Sequence, residues 1–282
     1  MKILVTGVNG QLGCDVVKVL NERKIMCQGV DINDFDITDF EATNAYIKAY
    51  SPTAVIHCAA FTAVDIAEDE AKLCTKINVE GTKNIAQACK GIDAKMLYIS
   101  TDYIFGGDGE TAFEINDKPN PQSIYGETKL NGELEVKKLL DKYFIVRISW
   151  VFGKNGNNFV KTMLRLGKER DELSVVADQI GSPTYTADLA LLLCDMISTE
   201  KYGTYHATNE GYCSWADFAK EIFKQVGLST KVNYITADQY PAKAKRPANS
   251  RLSKSSLDQN GFARLPDWED ALKRYLNEIK DV

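Results

Sequence analysis

The chain has 282 residues, a net charge of −5, 44% hydrophobic residues and 26% charged residues. A chain of this length buries most of its surface on folding and needs neither disulfides nor a metal to hold a core. The acidic balance argues against a nucleic-acid partner, because neutralising phosphates usually requires a basic surface.

Cysteine and histidine usage indicates a reducing environment and no metal site. The seven cysteines form no C-x-x-C pair, which favours buried thiols over disulfides or zinc ligands. The two histidines, His57 and His206, lie far apart in strand-like runs, so we assign them structural roles. The first residues lead directly into a strand pattern rather than a signal sequence, and no apolar run could span a membrane. We therefore expect a cytoplasmic protein without a membrane partner.

Strand-like apolar runs alternate with helical patterns through the first half of the chain. The predicted strands are 3–7, 25–31, 54–60, 95–101 and 144–150. The predicted helices are one with Leu12, Val16, Val19 and Leu20 on a single face, then 40–50, 75–90 and a helix that carries Tyr125 and Lys129. Apolar strands separated by helices are typical of a parallel sheet covered on both faces. We therefore predict an α/β fold with a Rossmann-type, doubly wound parallel sheet.

The second half is less regular. Its predicted helices are 157–167, 185–197, 214–227 and 269–280, and its predicted strands are 173–178 and 203–209. Ser214 is the expected N-cap of one helix and Gly227 its end. We expect a smaller substrate-binding region interleaved with the sheet. In this division, 1–152 and 178–210 form the dinucleotide-binding domain, and 153–177 and 211–282 bind the substrate.

A glycine-rich segment, "TGVNGQLG", joins the first strand to the first helix. Gly7, Gly10 and Gly13 would let the backbone turn tightly and approach a pyrophosphate, with the helix amides directed at its charge. The spacing G-x-x-G-x-x-G differs from the dinucleotide fingerprint G-x-G-x-x-G. A plain connecting loop is the alternative interpretation.

The end of the second strand carries an acidic residue, Asp31. An acid at this place can accept hydrogen bonds from the adenosine ribose and would repel a 2′-phosphate. The next two residues supply no arginine, so NADH is favoured and NADPH is the alternative. Asp36 and Ile37 are candidates for the adenine pocket, with a simple turn before a helix as the competing interpretation.

The segment "SIYGETKLNGE" places Tyr125 four residues before Lys129, on one face of a helix. An ammonium near a phenol stabilises the phenolate and lowers its pKa, which suits general acid–base chemistry. A solvated helix face would give the same spacing by chance. The preceding strand ends in "ISTDYIF", and because strand side chains alternate, only one of Ser100 and Thr101 is expected to face the site. We select Thr101.

Taken together, the motifs resemble those of the extended short-chain dehydrogenase/reductases, and most closely the dTDP-4-dehydrorhamnose reductases. The similar segments follow that family's order: "TGVNGQLG", "AAFTAVDIAE", "STDYIFGG", "YGETKLNGE", "NNFVKTMLRL" and "DQIGSPTYTADLA". Each motif is widespread, but the set covers essentially the whole chain.

The resemblance implies roles for individual residues. Tyr125 would donate a proton, Lys129 would tune it and hold the nicotinamide ribose, and Thr101 would complete the triad. Asp102 would contact the sugar. The cofactor site would be lined by Gly7, Gly10, Gln11, Leu12, Gly13, Asp31, Ala59, Ala60 and Thr62.

Three further positions and the assembly are less constrained. Trp150 would border the sugar, or else belong to the core. Arg246 and Arg251, in "RPANSRL", could grip the diphosphate bidentately, or form a solvated basic stretch with Lys243 and Lys245. Some family members use magnesium at a dimer contact, but no carboxylate cluster in this sequence predicts a metal site. A homodimer is one open alternative for the assembly.

The expected activity is NAD(P)H-dependent reduction of the C4 ketone of a nucleotide-linked 4-keto-6-deoxysugar, most closely dTDP-4-dehydro-L-rhamnose. One rival is an epimerase or dehydratase of the same fold that retains NAD. "STDYIF" has no glutamate after Asp102, which disfavours a dehydratase. A second rival is a regulatory subunit without turnover, because fold alone does not determine function.

Overall fold

The computed structural model describes residues 1–280. Its strands are β1 (Lys2–Thr6), β2 (Met26–Val30), β3 (Ala54–His57), β4 (Lys95–Thr101), β5 (Tyr143–Ile148), β6 (Val151–Phe152), β7 (Glu172–Val176), β8 (Ile180–Gly181), β9 (Thr184–Tyr185), β10 (Gly203–His206), β11 (Cys213–Ser214), β12 (Lys231–Ile235) and β13 (Asn249–Ser250). Its α-helices are α1 (Gln11–Glu22), α2 (Phe40–Tyr50), α3 (Val64–Asp69), α4 (Ala71–Thr75), α5 (Thr82–Gly91), α6 (Ile124–Leu139), α7 (Phe159–Glu169), α8 (Thr186–Ile197), α9 (Trp215–Val226), α10 (Ser255–Gln259) and α11 (Trp268–Ile279).

A six-stranded sheet organises the larger part of the molecule. Its strand order is β10-β5-β4-β3-β1-β2, and every neighbouring pair is parallel. The chain begins at β1 inside the sheet and adds β2 on one side of it. It then adds β3, β4, β5 and β10 on the other side, and crossover helices cover both faces. The predicted doubly wound parallel sheet is therefore confirmed, and the carboxyl ends of β1, β3 and β4 meet at one edge.

Two apolar layers hold the sheet between its helices. On one face, Ile3 and Val146 belong to a buried cluster that includes α1 and α8. On the other face, Leu4 and Ile145 belong to a cluster with α5 and α6. Adjacent residues of β1 and β5 thus point to opposite faces and are buried on both, which explains the continuous apolar runs in the sequence.

The second apolar region lies among the elements of the less regular half. A further cluster includes Phe218 and Phe223 of α9, Tyr275 of α11 and Val160 of α7. The segment that follows β7 returns toward the large sheet, because α8 packs on α1 and β10 pairs with β5. The proposed division into a cofactor-binding part and a substrate-binding part remains a prediction.

The two ends of α9 lie where the capping residues in the sequence predict them. Ser214 accepts a hydrogen bond from the Asp217 amide, and Asp217 accepts one from the Ser214 amide, forming a capping box at the start of α9. Gly227 ends that helix with φ of 73°, the left-handed conformation that glycine adopts most easily. Both predicted ends of α9 are confirmed.

Other boundaries differ from the predicted ones. The helix predicted at 75–90 begins at Ala71 and contains a π-helical segment, Lys76–Gly81, before α5. Helix α3 has only six residues and was not predicted. The predicted strands 54–60, 144–150 and 203–209 end two or three residues early, because their last residues leave the ladder to form loops at the sheet edge. Among residues 1–280, no helix is long and apolar enough to cross a membrane.

Candidate active site

A cavity of about 790 Å³ opens at the carboxyl edge of the large sheet. Sixteen of the predicted site residues line it: Gly7, Gly10, Gln11, Leu12, Gly13, Asp31, Asp36, Ile37, Ala59, Ala60, Thr62, Thr101, Asp102, Tyr125, Lys129 and Trp150. Open parallel sheets bind ligands at this edge. The fold therefore gathers residues from most of the predicted motifs around one space.

The glycine loop forms one wall of the cavity and has little room for side chains. Gly7 has φ of 72°, and a Cβ there would lie 2.7 Å from the Ala59 amide nitrogen. A Cβ on Gly13 would overlap the Gly7 carbonyl oxygen. Gly10 is the N-cap of α1, so the first amides of that helix lie at the cavity. The backbone thus forms a cradle suited to an anionic group.

The two acidic residues near the cradle accept hydrogen bonds from residues close to them in sequence or from the glycine loop. Asp31 accepts hydrogen bonds from the Asn9 amide and the Ile32 amide, each at 2.9 Å. Asp36 accepts from the amide and the hydroxyl of Thr38, both at 2.8 Å, and these bonds lower the pKa of Asp36. Both carboxylates are therefore oriented by short local contacts before any ligand binds.

At the opposite end, Asp102 is the centre of a buried hydroxyl–carboxylate network. Its carboxylate accepts from the Thr101 hydroxyl at 2.9 Å and from the Ser250 hydroxyl at 2.5 Å. All three residues are at most 4% exposed. Burial raises the pKa of Asp102 to about 6, although the two hydroxyl donors lower it. Thr101 is thus held in place by a carboxylate that itself depends on a strand from the second region.

Tyr125 and Lys129 lie on the cavity side of α6, whose N-cap is Ser123. The Tyr103 and Tyr125 rings meet edge to face with centroids 5.4 Å apart. Burial raises the pKa of Tyr125, and the Thr101 hydroxyl offsets part of that rise. Burial also lowers the pKa of Lys129 to about 7. The expected lowering of the Tyr125 pKa by Lys129 is therefore wrong for this structure, because desolvation dominates both groups.

Which of Ser100 and Thr101 acts on the substrate stays a prediction. Both residues line the cavity, and within the described chain the buried Ser100 hydroxyl has no hydrogen-bond partner. Strand β4 ends at Thr101 and a 3₁₀ turn, Asp102–Ile104, begins at once.

Trp150 lies between the two regions. Its φ of 49° is unusual for a residue with a side chain, and its ring stacks on Trp215 with centroids 3.7 Å apart and an interplanar angle of 12°. A Cβ on Gly181 would lie 2.8 Å from the Trp150 ring. The indole thus borders the cavity while packing against α9 and β8.

The two predicted arginines are not among the residues that line the cavity. Arg246 makes a bidentate ion pair with Asp65, at 3.1 and 2.6 Å. Arg251 donates to the Asn249 side chain at 3.0 Å and lies over the Tyr212 ring. The structure therefore does not bring these guanidinium groups together with the other predicted site residues. Their role as diphosphate ligands stays a prediction.

Three residues that support the site were missed. Asn78, in the π-helical segment, bonds both the amide and the carbonyl of Phe61 and also the Thr128 hydroxyl. Glu68 accepts a hydrogen bond from the Ile124 amide at the start of α6. Ser250, which lies between Arg246 and Arg251 in sequence, donates to Asp102 and was not predicted. Only Asn78 could have been found from the sequence, because it is a polar residue within the apolar pattern of a predicted helix.

The described residues contain no group of three His, Cys, Asp or Glu side chains that could hold a metal ion. All seven cysteines are free thiols. The lining of the candidate site combines backbone amides, hydroxyls, carboxylates, the phenols of Tyr103 and Tyr125, and the amines of Lys76 and Lys129. Such a set can bind a diphosphate and transfer a proton.

Comparisons with known proteins place the chain in a family. The family model described as "RmlD substrate binding domain" matches residues 1–281. The dTDP-4-dehydrorhamnose reductase of Aggregatibacter actinomycetemcomitans is 40% identical, over 96% of this chain and 97% of the relative. A crystal structure of a dTDP-4-dehydrorhamnose reductase from Clostridium acetobutylicum has a TM-score of 0.97 and 45% identity, and covers 99% of this chain and 100% of its own.

A second solved structure is the dTDP-4-dehydrorhamnose reductase of Bacillus anthracis in complex with NADP. It has a TM-score of 0.96 and 46% identity, and it covers 99% of this chain and 100% of its own. Likeness of this extent, in sequence and in structure, is far beyond what a shared fold requires. The chain therefore belongs to the dTDP-4-dehydrorhamnose reductase family, within the extended short-chain dehydrogenase/reductases.

Proposed function

We propose that the protein is an NAD(P)H-dependent reductase that converts dTDP-4-dehydro-L-rhamnose to dTDP-L-rhamnose. The observation that carries the proposal is the single cavity that joins the glycine cradle to Tyr125, Lys129 and Thr101. Full-length relatives named for this activity support the choice of substrate.

The cradle fits a dinucleotide in shape and charge. Side chains at Gly7 or Gly13 would collide with the backbone of Ala59 or of the loop itself and so displace the cradle, and the amino end of α1 favours the negative charge of a pyrophosphate. Asp31 would hold the adenosine ribose, Asp36 and Ile37 would border the adenine, and Ala59, Ala60 and Thr62 would complete the wall. The bound cofactor would supply hydride to C4 of the sugar.

Tyr125 would donate its proton to the ketone oxygen at C4. The raised pKa of Tyr125 keeps the phenol protonated at neutral pH, as a donor requires. On substrate binding, the Thr101 hydroxyl would turn its one proton from the Asp102 carboxylate to the same ketone oxygen, and Trp150 would border the sugar. Binding energy from the remote nucleotide would position C4 for reaction.

The proposal also covers the preference for NADH over NADPH, the oligomeric state and the cellular location. Asp31 disfavours a 2′-phosphate, so we expect lower KM values for NADH than for NADPH, although the Bacillus anthracis relative is described with NADP. A homodimer and a cytoplasmic location remain expectations, the latter supported by seven free cysteines.

The direct test is the loss of NADH or NADPH absorbance with purified protein and dTDP-4-dehydro-L-rhamnose. We expect stoichiometric oxidation by the wild type and a loss of roughly 10²–10⁴-fold in kcat for Tyr125→Phe. Protein that binds NADH but oxidises neither cofactor with this sugar would overturn the proposal.

The rivals predict different results in the same preparation. A nucleotide-sugar epimerase would carry tightly held NAD through purification and interconvert sugars without net oxidation of added NADH. A regulatory subunit would bind the cofactor without any turnover. Chromatography of the cofactor released from denatured protein separates the first rival from the reductase.

A further inference from the structure

Lys129 is a buried cation whose surroundings leave its charge weakly supported. The side chain is 2% exposed, and burial lowers the pKa of Lys129 to about 7. Loss of the proton near neutral pH would remove the positive charge that the proposed chemistry needs beside Tyr125. Whatever stabilises the ammonium therefore sets the upper pH limit of the site.

Most titratable groups around Lys129 carry no charge at neutral pH. His57 and Cys58 face it from the end of β3, and Cys74 faces it from α4. Burial lowers the pKa of His57 to about 3 and raises the pKa of Cys58 to about 12. Burial also raises the pKa of Cys74. These three groups, and the protonated phenol of Tyr125 on α6 itself, give the ammonium no counter-charge.

Glu133, one turn along α6, is the carboxylate that opposes the effect of burial on Lys129. Its two oxygens are taken by a bidentate pair with Arg147, at 2.9 and 2.8 Å, and Lys137 lies 3.6 Å away. Two cations thus already share this carboxylate. Its net attraction for Lys129 is correspondingly reduced.

The remaining contact is an aromatic face. The Lys129 Nζ lies 4.1 Å from the centroid of the Tyr98 ring, well inside cation–π range. Tyr98 is fully buried on β4, so water does not weaken the contact. The ring is itself held, because its hydroxyl reaches the Lys129 carbonyl oxygen at 3.4 Å and a Cβ on Gly132 would overlap that hydroxyl. The His57 ring stacks with the Tyr98 ring, with centroids 5.8 Å apart.

We propose that Tyr98 is a positioning residue that holds the Lys129 side chain and its positive charge beside Tyr125 through a cation–π contact. The inference rests on the proposed function, in which Lys129 acts together with Tyr125. Tyr98 acts through Lys129 and takes no part in proton transfer itself.

The first test measures the charge of Lys129 directly, without turnover. Full-length protein labelled with ¹³C at the lysine ε-carbon is titrated by NMR, and the Lys129 signal is assigned by its loss in Lys129→Met. Tyr98→Leu removes the ring and should lower the midpoint of the Lys129 titration by about one pH unit. Tyr98→Phe keeps the ring and should titrate like the wild type. A Tyr98→Leu midpoint equal to that of the wild type, or an equal shift in both variants, overturns the proposal.

The second test is the pH profile of NADH oxidation. The cation is lost as pH rises through the Lys129 pKa, so the alkaline limb of kcat should move to lower pH in Tyr98→Leu and stay in place in Tyr98→Phe. A purely structural defect would lower kcat at every pH without moving the limb. If thermal unfolding shows Tyr98→Leu to be unfolded, Tyr98→Met fills more of the same volume and replaces it. A wild type without turnover would sink the proposed function, whereas the NMR titration would still decide the role of Tyr98.

Discussion

The two ends of the cavity are assembled from different parts of the chain. At the cofactor end, the glycine loop and Asp31 lie within about thirty residues of one another, and the contact between them is an amide of the loop donating to the carboxylate. At the substrate end, Asp102 holds Thr101 next to it in sequence but depends on Ser250, 148 residues away. The glycine loop and Asp31 are close in sequence and contact each other through a backbone amide, whereas the network at the substrate end joins side chains from distant segments.

This difference decides how each end responds to change. A cradle made of glycine backbone has no side-chain contacts to remove, so the substitutions that disturb it are those that add a side chain. A side-chain network is damaged by removing a single donor or acceptor, because its buried partner is then left unsatisfied. Substitutions that add volume at one end and delete polarity at the other should therefore separate cofactor binding from catalysis.

Among the substitutions that compare the two ends, the largest effect is expected at the cradle. Gly7→Ala places a Cβ 2.7 Å from the Ala59 amide at a positive φ, so NADH binding should weaken by roughly a hundredfold, measured by fluorescence titration. Gly109→Ala is the matched control, because Gly109 has φ of 80° and no atom within 4 Å of the added Cβ. Similar NADH affinities in both variants would show that the close approach is unimportant.

A smaller effect is expected at the hydroxyl–carboxylate network. Asp102→Asn keeps the shape but removes one of two acceptors from the buried hydroxyls of Thr101 and Ser250, so kcat should fall by about 10–100-fold. Ser250→Ala removes one donor and should lower kcat less. The dissociation constant of NADH should stay within about threefold of the wild type in both variants. An equal loss of NADH binding would abolish the distinction between the two ends.

The same carboxylate gives a pH signature. Because the folded-state pKa of Asp102 is raised to about 6 from 3.8, its contribution to stability is fully present below pH 3.8 and is lost as pH rises through about 6. Relative to Asp102→Asn, the wild type should therefore lose about 2–3 kcal/mol of unfolding free energy between those limits. Urea unfolding of both proteins at several pH values measures the difference, and parallel curves would contradict it.

The smallest effect concerns the arginines. If Arg246 grips the diphosphate, it must leave Asp65, so Asp65→Asn should lower the KM for the nucleotide sugar a few-fold and Arg246→Gln should raise it up to roughly tenfold. Arg251→Gln tests the other predicted ligand in the same assay. Unchanged KM values with lower melting temperatures would assign Arg246 to structure alone.

The sequence by itself was sufficient for the features that depend on neighbouring residues. Periodicity located most strands and helices, the Ser214 and Gly227 signals marked the ends of α9, and the glycine spacing identified the cradle. Each depends on backbone conformation that a few consecutive residues determine. The spacing of Tyr125 and Lys129 belongs to the same class, because four residues on a helix always share a face.

The tertiary structure alone decided which distant side chains meet and how strongly they are desolvated. It paired Ser250 with Asp102 and Arg246 with Asp65, and it placed the Tyr98 ring against Lys129. It also reversed the expected direction of the Tyr125 pKa shift, since burial depends on everything that surrounds a group. Contacts between distant segments and the exclusion of water are properties of the packed molecule, and no short stretch of sequence contains them.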